Sequence, residues 1–170
     1  MTGVNARVNE GHGPPQFKIA NPAFESRIRD SFARQRFMEH IGAQLVTVEP
    51  GYCVIRLPYE ESLTQQHEFF HGGVIGTIAD NAGGYAAFTL AAPDASVLTV
   101  EYKLNLLSPG QGEALEARGR VIRPGRSLVV SHSEVYAIDG GSEKLVAVAI
   151  VTLTLLPDRT DGPANQEQNT

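Results

Sequence analysis

Asp80 has the strongest chemical claim in this 170-residue chain, because it stands inside the most apolar stretch, GGVIGTIADNAGGYAAFTL (72–90). Its neighbours are Ile78, Ala79 and Ala82, and a carboxylate taken out of water is costly unless it is paired or hydrogen-bonded. Either it reaches a cap or a solvent gap beside Asn81, or it is an acid set in a cleft to serve as general base or nucleophile. His71-Gly72-Gly73 opens the same stretch. Glycines there let a ligand approach bare amides, and the free N–H groups and positive dipole end of a helix start suit an anion or an oxyanion. Neither GxGxxG nor GxxxxGK is present, which argues against a dinucleotide or P-loop phosphate site.

Other candidates are weaker singly. Gln65 lies in the polar loop YEESLTQQHEFF with Gln66 and His67. His67 and His71 stand four apart but lack a third ligand and an HExxH pattern, so no metal is expected. His12, His40 and His132 are scattered, and His132 reads as a sheet-face residue. The single cysteine, Cys53, excludes an intrachain disulfide framework and a multi-Cys metal site. From Lys103 to Arg126, the basic residues Lys103, Arg118, Arg120, Arg123 and Arg126 against Glu113 and Glu116 give a local +3 in a chain of net charge -5. That cluster is either a solvated strand face or a docking patch for a small polyphosphate.

The elements that must position these residues follow from periodicity. With 42% hydrophobic and 19% charged residues the chain is globular and long enough for one core. Its acidic balance makes it a poor general nucleic-acid binder. No apolar run approaches the roughly 20 residues of a membrane helix, and residues 1–22 lack the apolar stretch of a signal peptide. The chain is therefore expected to be soluble and cytoplasmic, without nucleic-acid or membrane partners. Residues 1–21 and 158–170 read as flexible tails around one domain at 22–157. Phe24, Ile28 and Phe32, then Met38 and Ile41, follow helical spacing from Pro22 to His40. AQLVTVEPGYCVIRLP gives two strands around Glu49-Pro50-Gly51. Residues 72–90 are apolar all round, the pattern of a helix enclosed by protein, and Gly76, Gly83 and Gly84 imply close packing against its backbone. Four β-rich runs follow, VLTVEYKLNLL, EALEARGRVI, SLVVSHSEVYAI and KLVAVAIVTLTLL, with short breaks that predict an antiparallel meander. In the first, Leu98, Val100, Tyr102, Leu104 and Leu106 are expected on one face, with Thr99, Glu101, Lys103 and Asn105 on the other. The expected class is α+β, a curved sheet of five to six strands wrapped around the 72–90 helix.

LTQQHEFFHGGVIGTIADNAGGYAA, followed by YKLNLLSPGQGEALEARGRVIRPGRSLVV, resembles the PaaI-like acyl-CoA thioesterases of the hotdog-fold superfamily, over about Met38 to Leu156. The resemblance implies hydrolysis of an acyl- or aryl-CoA to free acid and CoA, the coenzyme being part of the substrate and no separate cofactor being needed. Asp80 matches the catalytic carboxylate and Gly72 the residue whose amide polarises the thioester carbonyl. His71 supports that loop, with Gly73 beside it. Gln65 falls where many relatives have Asn and others Gln, and Thr99 where some place a Ser or Thr near the site. Coenzyme A carries phosphates, which gives Lys103, Arg118, Arg123 and Arg126 a partner. Given these roles, Gly72 and Asp80 lie about 12 Å apart along one helix, too far to serve one carbonyl. A homodimer with shared sites follows, and the resemblance implies a further pairing into a tetramer. A hotdog hydratase or dehydratase, or a non-catalytic acyl-CoA-binding module, is the alternative.

Overall fold

The computed structural model describes residues 17–159 and Asp161. Most of both expected tails therefore lies outside the described residues. The inner end of the first does not fit a tail: Phe17 packs against the core with its ring over Gly51, and buried Asn21 accepts the Ala23 amide at 3.0 Å.

Where one helix was expected over 22–40 there are two, α1 (Phe24–Ala33) and α2 (Arg36–His40), separated by the extended Gln35. Continued without a break, the face that carries Phe24, Ile28 and Phe32 would next present Arg36 and Glu39. Breaking the helix re-phases the chain, so Met38 and Ile41 are buried instead. Strands β1 (Gln44–Glu49) and β2 (Tyr52–Pro58) form a hairpin whose turn needs Gly51 at φ +73. Then come a 3-10 turn (Glu61–Leu63), α3 (Gly72–Phe88), β3 (Ser96–Leu106), β4 (Ala114–Pro124), β5 (Leu128–Asp139) and β6 (Ser142–Leu156).

All six strands pair antiparallel in the order β1-β2-β4-β5-β6-β3. The expected meander holds only for β4, β5 and β6; β3 instead occupies the far edge against β6. The connection 107–113 makes this possible. Crossing three strand spacings needs about 14 Å, whereas seven residues reach roughly 23 Å. This segment also braces the start of α3, where the Phe70 amide donates to the Gly110 carbonyl at 2.9 Å.

The sheet wraps α3, which packs against β2 through β6 and is buried at Ile75, Ile78, Ala79, Ala82, Ala86 and Ala87, among others. Gly119 of β4 makes the closest approach: a Cβ there would collide with the backbone of Ala82 and Gly83. Beside it, Ser133 of β5 donates to the Ala79 carbonyl at 2.7 Å. Gly76 faces Tyr102 and Leu104, and Gly83 faces Ser133 and Val151, so the close packing implied by these glycines is against the chain's own sheet.

The β3 face pattern differs from strict alternation. The register shifts between Thr99 and Glu101, leaving Val100 as a bulge. Beyond it Tyr102, Leu104 and Leu106 face α3, but ahead of it Thr99 and Val97 do so while Leu98 is exposed. Among the described residues no helix is long and apolar enough to cross a membrane.

Candidate active site

Asp80 occupies the third turn of α3, half-buried and aimed at β3. The Val100 bulge turns Thr99 inward, and its hydroxyl donates to Asp80 Oδ1 at 2.9 Å. Burial pushes the Asp80 carboxyl above the ordinary carboxylate range, and the Thr99 hydrogen bond offsets only part of that rise. The result is an acid whose ionised form is a stronger base than an exposed aspartate. It borders a cleft of about 220 Å³ that follows one stripe of α3, through Asn81, Gly84, Tyr85 and Phe88, with Thr99 opposite.

The other end of α3 provides donors. His71 is the N-cap, with Nδ1 accepting the Gly73 amide at 2.9 Å. The Val74 and Ile75 amides donate to the His71 carbonyl. The Gly72 amide is left with no acceptor among the described residues, as an oxyanion donor must be. His71 is itself held by its amide, which donates to the Leu63 carbonyl at 2.9 Å. Gln65 sits close by: its Oε1 accepts the His67 amide at 2.8 Å, and it lines a second cleft, of about 350 Å³, with Gly72, Phe70, Leu106 and Ser108.

The structure thus groups the expected residues in two sets. Gln65, His71, Gly72 and Gly73 gather at the start of α3, and Asp80 and Thr99 gather two turns further along it, on a different cleft. These two clefts share no lining residue.

The basic cluster does not form one patch. Arg118 makes a bidentate pair with Glu143, bonds Glu116, and stacks over the Tyr136 ring. These contacts hold its guanidinium above the ordinary arginine range, and in this structure Arg118 is engaged by two glutamates of the outer sheet face. Arg120 reaches Glu134 at 3.9 Å. Lys103 lies on β3, while exposed Arg123 and Arg126 flank the β4–β5 turn; none of these three has an ionic partner among the described residues. His67 lines another cleft, with Tyr59, Glu68 and Glu113, and not the one lined by Gly72. Cys53 is buried in the core, where desolvation raises its thiol far above the ordinary range. Two features carry no signal in the sequence: Gly119 against the α3 backbone, and the polar contact that Ser31 and Gln35 make with Tyr85 across more than 50 and 50 positions respectively.

The profile of the Thioesterase superfamily matches residues 67–144. The chain is 30% identical over 121 residues to the 1,4-dihydroxy-2-naphthoyl-CoA hydrolase of Listeria monocytogenes, covering 71% of this chain and 96% of that protein. A thioesterase family protein from Silicibacter pomeroyi superposes with TM-score 0.77 at 44% identity, over 79% of this chain and 98% of that one. The E. coli PaaI protein of the phenylacetic acid degradation operon shares the fold, with TM-score 0.73 at 17% identity over 84% of this chain and 100% of that one. An α3 wrapped by a six-stranded antiparallel sheet, a donor-bearing helix start and a half-buried carboxylate on that helix accompany these likenesses. The chain belongs to the thioesterase superfamily, as a thioester hydrolase of the hotdog fold.

Proposed function

We propose that this protein is an acyl-CoA thioesterase that cleaves an acyl- or aryl-CoA to the free acid and CoA. The observation that carries the reading is the pairing of a free Gly72 amide with an Asp80 carboxylate whose pKa burial raises. A thioester needs an electrophile made more reactive and a group that delivers the attack. The Gly72 amide donates to the carbonyl oxygen as negative charge develops there. His71 keeps that amide free by capping Gly73 itself. Asp80 either deprotonates a water or attacks the carbonyl carbon to form an anhydride that water then opens. Thr99 fixes its rotamer in both cases.

The two groups meet across a homodimer. Along α3 they are about 12 Å apart, so the amide of one chain serves the carbonyl attacked from the other. The β3 edge supports this assembly: it is eleven residues long, lacks a neighbour on its outer side among the described residues, and exposes Leu98, Val100, Tyr102 and Leu106. Such an edge on a free monomer is an invitation to pair. Two dimers pair again into the tetramer, and light scattering reads the final mass. For the nucleotide, Arg123, Arg126 and Lys103 are the available cations, Arg118 being committed to glutamates. We place its activity in the cytoplasm.

A panel of acyl-CoAs with a thiol-reactive dye tests the reading. Release of CoA by the native protein, falling about 10²–10⁴-fold in Asp80→Asn, is the expected result. Enoyl products would mean a dehydratase, and a thermal shift without turnover would mean a binding module. Turnover within a few-fold of native in Asp80→Asn would remove Asp80 from the chemistry.

A further inference from the structure

Ser133 is fully buried on the inner face of β5, where its ladder partners call for a small side chain. Across β2, β4, β5 and β6 one row of the sheet reads Cys53, Gly119, Ser133 and Ala149, each paired with the next. This row is a trough, and α3 lies in it. A Cβ on Gly119 would collide with the backbone of Ala82 and Gly83, and a Cβ on Gly83 would stand 3.0 Å from Ser133 Oγ and from Val151. Glycine or alanine at 133 would keep the trough open equally well. The hydroxyl is therefore an addition, and burying one is costly unless it is hydrogen-bonded. It donates to the Ala79 carbonyl at 2.7 Å. That carbonyl already has the Gly83 amide as its helical donor, so α3 does not need Ser133 to complete its own ladder. What the bond adds is direction. Packing in a trough sets how near the helix lies but resists sliding and turning weakly, whereas a hydrogen bond fades steeply as its distance and angle change.

Asp80 is the next residue after Ala79, about 100° further round the helix, and it reaches β3. Among the described residues α3 makes two side-chain hydrogen bonds to strands: Ser133 to Ala79, and Thr99 to Asp80 at 2.9 Å. Adjacent residues of the helix are thus tied to β5 and to β3, with β6 between those strands. We propose that Ser133 is a positioning residue for the reaction: its bond to the Ala79 carbonyl fixes the height and rotation of α3 on the sheet, and so holds the Asp80 carboxylate against Thr99. The assignment rests on the thioesterase reading for the role of Asp80. Ser133 touches neither the Asp80 cleft nor the one lined by Gly72, so it acts only through the helix. Ser131 supplies a matched control. It is equally buried on the same face of β5, and its hydroxyl has no partner among the described residues.

The test reads Asp80 itself, so it does not depend on turnover. Isotope-labelled aspartate carboxyl carbons are titrated by NMR in the native protein, and the Asp80 signal is identified by its loss in Asp80→Asn. Tyr85 and Asp161 are the other titrating groups on that cleft; neither is hydrogen-bonded to Asp80, and Asp161 is paired with Arg34. Ser133→Ala should loosen the Thr99 bond that favours the charged carboxylate and move the Asp80 titration up by about half a pH unit or more. Ser131→Ala should leave it in place. With Thr99→Val already present, Ser133→Ala should add almost nothing, because the contact through which it acts is gone. On the acyl-CoA turned over fastest, kcat should fall about ten- to a hundredfold in Ser133→Ala, with KM within about threefold of native. The variant removes one oxygen and leaves the Ala79 carbonyl its helical donor, so the fold persists. An Asp80 titration unmoved by Ser133→Ala, moved as far by Ser131→Ala, or moved equally with and without Thr99 would overturn the assignment, whatever the melting temperature does. An unchanged kcat in an enzyme that does cleave acyl-CoA would overturn it too. A moved titration in a protein that turns over no acyl-CoA would retire the thioesterase reading and leave Ser133 as the residue that positions Asp80. Turnover with an unmoved titration would do the reverse.

Discussion

At the scale of single residues, the account turns on how one carboxylate and one amide are prepared. Asp80 was legible in the sequence because an acid amid Ile78, Ala79 and Ala82 has no cheap explanation. Thr99 was reached through the resemblance, because alternation alone sends it away from the helix. The Thr99 hydroxyl stabilises the charged carboxylate, so Thr99→Val should raise the Asp80 pKa further and move the acid limb of the kcat profile to higher pH. An unmoved limb would mean that another group sets it. Stability carries the same sign. The folded pKa of Asp80 is raised, so its contribution is fully present below the unfolded value near 4 and is lost as pH rises through the folded value. Asp80→Asn should therefore match the native melting temperature in acid and exceed it increasingly toward neutral pH. Gly72 allows a cleaner deletion. It is the first helical residue after the cap, with His71 already extended at ψ 136, a position and a neighbour that tolerate proline. Gly72→Pro removes only the N–H, with a small adjustment of Leu106, whose Cδ1 lies 3.1 Å from the added carbon. About 10²–10³-fold loss of kcat with unchanged fold by circular dichroism is the expected outcome. Near-native turnover would place the oxyanion elsewhere.

At the scale of elements, the enclosed helix and all six strands could be read from periodicity, whereas strand order could not. The break Ser108-Pro109-Gly110 looks like a hairpin turn, but the seven residues 107–113 carry β3 to the far edge. Nothing local encodes that choice; it is made by α3, which needs a strand on each side. Bulges are hidden in the same way, since Leu98, Val100 and Tyr102 alternate faultlessly in sequence. The Arg118 pairing with Glu143 spans 25 positions, so a run of basic residues gave no sign that one was already neutralised. The seam between α3 and β4 offers a test of the packing. Gly119 sits where a methyl group would collide with the backbone of Ala82 and Gly83, and backbone cannot turn aside as a side chain can. Gly119→Ala should cost about 1–3 kcal/mol, read as a lowered denaturation midpoint, while Gly84→Ala, with only Leu153 at 3.5 Å, should be nearly neutral. Equal effects would contradict the seam.

At the scale of the whole molecule, the claim that binds these observations is that one chain is half of an active site. The donor set at Gly72 and the acid set at Asp80 lie on separate clefts of the chain, and the β3 edge, unpaired among the described residues, is the proposed place for a second copy. Mixing two damaged proteins tests this most directly. Gly72→Pro and Asp80→Asn homodimers should each be nearly inactive. If the sites are shared, a heterodimer holds one doubly damaged site and one intact site. Unfolding and refolding an equal mixture makes half the dimers mixed, so activity should return to about a quarter of native. Heterodimers confirmed by mass, with activity no higher than the mean of the two variants, would show that the site is built within a single chain and would contradict the account.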